Sequence, residues 1–254
     1  MADNFLEKHY QEYQARKASM GQSQRTTKKK SAVARLKKNV WISDGNTSIG
    51  KALVQAFCME DCKVAFCSTN KEEGLLLAKE TGAAFFHLEE LRTEEFSKTM
   101  EAVMKRWGSI DILIMNSAQS CSLSSQSDSV DAFNQIVTEN LRSYLSLSQQ
   151  WEQQNRESMD QDPYGRILLV CPPTFFQTNE VNVCDRLSIQ GIHALTQSLA
   201  LNPTQTGMTT NTISPLWNAE QSETRHPEGV AHLCVFLSQP ENGGVNGENL
   251  KVHI

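Results

Sequence analysis

Apolar positions along this chain fall into two alternating rhythms. Short, nearly continuous apolar runs stand at 40–42 (V-W-I), 63–67 (K-V-A-F-C), 83–88, 110–115 (I-D-I-L-I-M), 166–170 and 209–213. Between them apolar residues return every three or four positions, as Ile49, Leu53, Val54 and Phe57 do after a small polar turn. The first rhythm predicts strands and the second predicts helices. Helices are expected after 48, over 71–81, 94–107, 130–154 and 185–200, and near 228–237. Runs as apolar as 110–115 imply strands buried on both faces, as in a parallel sheet between two helix layers. Regular strand and helix alternation then predicts one α/β domain with a doubly wound parallel sheet and helices on both faces.

The stretch 39–57 opens this pattern as strand, tight turn and helix. A helix N-terminus placed there presents unpaired backbone N–H groups and a positive dipole end, suited to a dinucleotide's pyrophosphate.

Charge divides the chain. Residues 1–38 carry ten Lys/Arg against three Asp/Glu, and residues 39–254 carry 14 against 26. A domain organisation of 1–38 as an N-terminal extension and 39–254 as the folded domain is expected. Within the extension a short helix is predicted over 5–19, with Leu6, Tyr10 and Tyr13 on one face, followed by a basic linker. Aromatic residues are not interleaved with its lysines, so nucleic acid is not the expected partner. No apolar run reaches the roughly 18–20 residues that span a bilayer, and the first residues lack a secretion pattern. A cytoplasmic location without membrane attachment is expected. Seven scattered cysteines fit reduced core thiols, and no His/Cys spacing completes a metal site. His193 reads as structural.

Seven segments in order resemble the short-chain dehydrogenase/reductase family across 39–254. They are S-D-G-N-T-S-I-G at 43–50, I-D-I-L-I-M-N-S-A at 110–118, E-N-L-R-S at 139–143, G-R-I-L-L-V at 165–170, G-I-H-A-L-T-Q-S-L-A at 191–200, N-T-I-S-P at 211–215 and V-A-H-L-C-V-F-L-S at 230–238. The resemblance implies a Rossmann-like fold and an NAD(P)-dependent oxidoreductase ancestry. The family's chemistry rests on a Ser, a Tyr-x-x-x-Lys pair and a helix Asn. The Tyr donates a proton to the developing alkoxide, and the Lys ammonium lowers its pKa.

By this resemblance the Tyr position reads Asp185, the Lys position Ile189, the Ser position Pro172 and the helix Asn position Asn140. Only Asn140 matches. A carboxylate with an ordinary pKa of about 3.9 has no proton to donate at neutral pH, and isoleucine supplies no charge. Tyr144, Tyr164 and Arg186 are out of register, and Cys171 lies beside the Ser position without a recognisable histidine partner. For the cofactor, the matching positions are Ser43, Gly45, Ile49, Glu89 and Asn116. Two of the three turn glycines are replaced, one by Asp44, and Ser68 stands where an acid would bind the ribose.

The expected function is therefore a non-catalytic binding or assembly subunit built on this fold, with no catalytic residue set intact and no or weak NAD(P) binding. The alternative is an NAD(P)(H)-dependent oxidoreductase with an atypical site. Family members assemble through the two helices here predicted at 130–154 and 185–200, so a homo-oligomer, or a hetero-oligomer with an active relative, is the expected state.

Overall fold

The computed structural model of the chain describes residues 36–116, 134, 141–171, 174–175, 183–201, 207–217 and 226–253. The helix expected over 5–19 lies outside the described residues, as do Asn140 and Pro172.

Eight strands form one sheet: β1 (Asn39–Ile42), β2 (Lys63–Ser68), β3 (Ala84–His87), β4 (Ile112–Asn116), β5 (Gly165–Val170), the two-residue β6 (Thr174–Phe175), β7 (Met208–Trp217) and β8 (Asn249–His253). Their order is β3-β2-β1-β4-β5-β7-β6, with β8 on β7, and every pairing is parallel. Neighbouring the strands are helices α1 (Ser48–Met59), α2 (Lys71–Thr81), α3 (Thr93–Trp107), α4 (Ser143–Gln161), α5 (Val183–Ala200) and α6 (Glu228–Ser238). Among the described residues no helix is long and apolar enough to cross a membrane.

Side-chain alternation along the strands sends residues to two separate cores. Val40, Ile42, Ile112, Ile114, Leu168 and Val170 pack with Leu53 and Phe57 of α1 and Val230 and Leu237 of α6. Trp41, Leu113, Met115, Ile167 and Leu169 pack on the other face with Met100 of α3, Trp151 of α4 and Ile192 of α5. Leu36, assigned to the extension on composition, is 7% exposed and belongs to the first core.

Local chemistry accounts for the helix ends. Asn70 caps α2, its Oδ1 accepting from the Glu73 amide at 3.2 Å, and Gly82 ends that helix at φ 78° with its N–H on the Ala78 carbonyl. On α4, Trp151 Nε1 donates to the Ile110 carbonyl at 2.7 Å, and Asn155 Oδ1 accepts from the Ile110 amide at 3.1 Å. Both backbone groups ahead of β4 are thereby satisfied.

Several bounds differ from the expected ones for physical reasons. Helix α4 runs on to Gln161, past the expected end at 154, through a polar stretch whose inner face still buries Asn155 at 2% exposure. Residues 130–133 and 135–140 of the expected helix lie outside the described residues. Strand β7 continues past Ile213 through Pro215. Pairing with β5 ends at Ile213 and pairing with β6 starts at Leu216. Pro215 thus falls where no ladder bond to that side is needed. Strands β6 and β8 were not expected: one has two residues, and the other is half-exposed and, among the described residues, pairs with β7 alone.

Candidate functional site: the crevice at the ends of β1 and β4

Strand order reverses at β1, which has β2 on one side and β4 on the other. In open α/β sheets this switch point, at the carboxyl ends of the strands, is where ligands enter.

Ser43 and Asn116 close the two strands against each other. The Ser43 hydroxyl accepts from the Asn116 amide at 2.8 Å and donates to the Asn116 carbonyl at 3.2 Å. The Asn116 side chain then donates to the Asp44 carbonyl at 2.7 Å and to Thr47 Oγ1 at 2.9 Å. Thr47 is the N-cap of α1, and its hydroxyl oxygen also accepts from the Gly50 amide at 2.9 Å. A Cβ on Gly50 would lie 2.2 Å from the Asp44 carbonyl oxygen, so the retained glycine is a packing requirement of the turn.

The other turn residues bond to their neighbours as well. The Gly45 amide donates to the Cys67 carbonyl at 3.0 Å, and the Asn46 side chain donates to the Asn70 carbonyl at 2.9 Å. Asp44 is buried, and loss of hydration raises its pKa; the Asn46 amide, donating to Oδ1 at 3.3 Å, opposes the shift. Ser68 is also buried, its Oγ accepting from the Asn70 amide at 3.2 Å. Ile49 points its side chain into the first core, leaving only its backbone toward the turn. Glu89 lies outside this cluster. Its carboxylate is 89% exposed, with Oε1 3.9 Å from His87 Nδ1.

Of the positions matched to the catalytic set, Asn140 and Pro172 lie outside the described residues. Ile189 packs against the second core from α5, one helical turn after Asp185. Gly191 follows it at a close approach: a Cβ there would lie 2.7 Å from Leu141. Cys171 ends β5 in a buried position, and burial pushes its thiol up to about 12 against the Ser214 hydroxyl, which lowers it. Tyr144 is buried, and its hydroxyl donates to the Val170 carbonyl at 3.4 Å, next to Cys171. Tyr164 sits at the opposite end of β5, its hydroxyl donating to the Ser238 carbonyl at 2.5 Å. Burial raises its pKa, and the Arg166 guanidinium works in the other direction.

Sequence reading missed His193 as part of a cluster. Its Nε2 is 3.3 Å from Ser214 Oγ, which donates to Asn249 Oδ1 at 2.8 Å. The signal was absent because Asn249 belongs to the unexpected strand β8. Among the described residues no group of three or more His, Cys, Asp or Glu is placed to hold a metal ion.

The model of the short chain dehydrogenase family matches residues 38–223. An uncharacterized oxidoreductase of Thermotoga maritima is 24% identical over 241 residues, covering 83% of this chain and 92% of the relative. One from Staphylococcus aureus strain N315 is 20% identical over 218 residues, covering 81% and 93%. Among solved structures, a variant actinorhodin polyketide ketoreductase with NADPH superposes at a TM-score of 0.73 with 19% identity, over 87% of this chain and 98% of that one. A short-chain dehydrogenase/reductase from Serratia marcescens gives 0.73 at 18% identity, over 86% and 98%. At such identities the structures establish the fold alone. The family match extends over most of the chain and across the crevice just described, and on it the chain belongs to the short chain dehydrogenase family.

Proposed function

We propose that this chain is a non-catalytic member of its family that serves as a binding or assembly subunit, with no or weak affinity for NAD(P). The observation that carries this reading is Asp44, a buried carboxylate in the turn that would face the pyrophosphate. At contact distance it would repel a phosphate by about 1 kcal/mol even with water's full screening, and by more in a site that excludes water. Gly45 and Asn46 support the same reading, because their donors are already engaged by Cys67 and Asn70. With these residues the crevice does not fit a dinucleotide. At the reaction end, an apolar Ile189 packed against the core offers no ammonium, and Asp185 stands where the family has its proton-donating Tyr.

Assembly is supported by the helices α4 and α5. Of the small residues along α5, Ala194 and Ser198 are exposed, while Ser188 is buried and the space at Gly191 is taken by Leu141 of the same chain. The proposed partner is a second copy of the chain or an active relative, in the cytoplasm, without a membrane or nucleic acid. Residues 1–35 are proposed as a separate extension, ahead of Leu36, which packs in the first core.

A second reading, an NAD(P)(H)-dependent oxidoreductase with an atypical site, draws on Tyr144, whose buried hydroxyl lies at the end of β5. Titration of the chain with NADH and NADPH, followed by tryptophan fluorescence, separates the two. No saturable quenching at micromolar cofactor is expected. Saturable quenching together with carbonyl reduction lost in Tyr144→Phe would overturn the first reading in favour of the second.

A further inference from the structure

Helix α5 and the start of β8 frame a cavity of about 380 Å³ lined by Gln190, His193, Thr196, Gln197, Glu248 and Asn249, among others. Strand β5 lies between this edge of the sheet and the crevice at β1 and β4. The volume lies at the lower end of the roughly 300–1,000 Å³ found for small-molecule pockets.

Hydrogen bonds hold its rim in place. Asn246 accepts from the Thr210 amide at 2.8 Å and donates to the Ala200 carbonyl at 3.1 Å. The Gly247 amide donates to the Thr210 carbonyl at 2.8 Å, and the Glu248 amide to Asn211 Oδ1 at 3.1 Å.

The proton positions inside follow from counting donors. Ser214 has one hydroxyl proton, and it goes to Asn249 Oδ1 at 2.8 Å. In the tautomer with its proton on Nε2, His193 donates to Ser214 Oγ at 3.3 Å and Nδ1 is left as an acceptor. Burial, then the charge of Lys251, hold the imidazole below its usual range against the raising effect of a hydrogen bond with Asn249. Thr196 and Thr212 are satisfied by each other at 2.5 Å. The groups left for a ligand are the two glutamine amides, the His193 lone pair and the Glu248 carboxylate.

We propose that this cavity is a binding site for a small neutral polyhydroxylated ligand of about sugar-ring size. Its hydroxyls would donate to His193 Nδ1 and Glu248 and exchange hydrogen bonds with Gln190 and Gln197. An anion would meet the Glu248 carboxylate and an imidazole lone pair. A cation would meet the same Lys251 charge that disfavours protonation of His193, and an apolar ligand would strip water from amides without replacing its hydrogen bonds. The inference stands apart from the fate of the dinucleotide crevice.

The test is titration of the full chain with glucose, myo-inositol or glycerol, followed by the long-range proton–nitrogen NMR spectrum of its histidine rings. A saturable shift of the His193 Nδ1 resonance toward the hydrogen-bonded position is expected with at least one of the three. In Gln197→Leu, an exposed change that leaves the far-UV spectrum and Tm in place, affinity should fall about tenfold, the loss of one or two ligand hydrogen bonds. No saturable shift at any concentration that leaves the fold intact would overturn the proposal. So would an equal or larger response to methylammonium or acetate, because the cavity would then select charge.

Discussion

The Asn46 side-chain amide donates to the Asn70 carbonyl at 2.9 Å, a hydrogen bond between the turn that follows β1 and the turn that follows β2. An adenosine diphosphate group would have to pass between those two turns. Replacing Asn46 by Gly together with Asp44 by Gly removes both the tie and the buried carboxylate. Isothermal titration should then detect NAD(P)H binding at least about fivefold tighter than in the parent chain, the equivalent of the roughly 1 kcal/mol screened repulsion. Unchanged affinity would remove Asp44 as the cause of weak binding.

The same carboxylate makes stability depend on pH in a defined direction. Asp44 has a raised pKa in the fold, with burial as the larger cause and the Asn46 amide opposing it. The folded state therefore holds its proton to higher pH than the unfolded state does. Stability drops as pH rises from about 3.8, the ordinary value, through the raised one. Asp44→Asn should be more stable than the parent in urea at pH 7, and the difference should shrink on acidification toward pH 3.8. A constant difference across that window would mean that Asp44 is not desolvated.

Gly50→Ala tests the turn geometry. The added Cβ would lie 2.2 Å from the Asp44 carbonyl oxygen, a backbone atom with nowhere to move while Asn116 holds it. A loss of about 1–3 kcal/mol is expected from denaturant midpoints, typical of forced overpacking. Ala at Gly82, where the structure has open space but φ is 78°, should cost less, because backbone strain alone is involved.

On the proposed reading, Ile189→Lys restores the family's amine type at its position without restoring its setting. The new ammonium would replace apolar packing against the second core, and Tm should fall. No carbonyl reduction should appear in an NADPH absorbance assay, because on the proposed reading the position of the family's proton-donating Tyr still holds Asp185. Reductase activity from this single change would show that the remaining machinery is intact.

Much of the fold was legible in the chain because its inner strands are continuously apolar and its helices carry one apolar stripe. I-L-I-M reads as a buried strand in isolation, and β4 is one. The elements that escaped are those whose order comes from partners. Asn249–His253 alternates weakly and exists as a strand only beside β7, and 216–217 extends β7 through register with Phe175 and Thr174. The crevice was legible as a set of substitutions at known spacing, which gave Asp44 and Ile189 their significance. What spacing could not convey was the wiring: that Asn46 reaches Asn70, that Gly45 bonds to Cys67, or that His193 of α5 meets Ser214 of β7.

Strand β4 is gripped at both ends by side chains from other elements. Ahead of it, Trp151 and Asn155 hold the two polar groups of Ile110; at its far end, Asn116 holds Asp44 and Thr47. The strand is thus a short tie rod between the middle of α4 and the mouth of the crevice. A displacement of α4 along the rod, such as a docking subunit would cause, must either break the grip on Ile110 or arrive at the α1 cap.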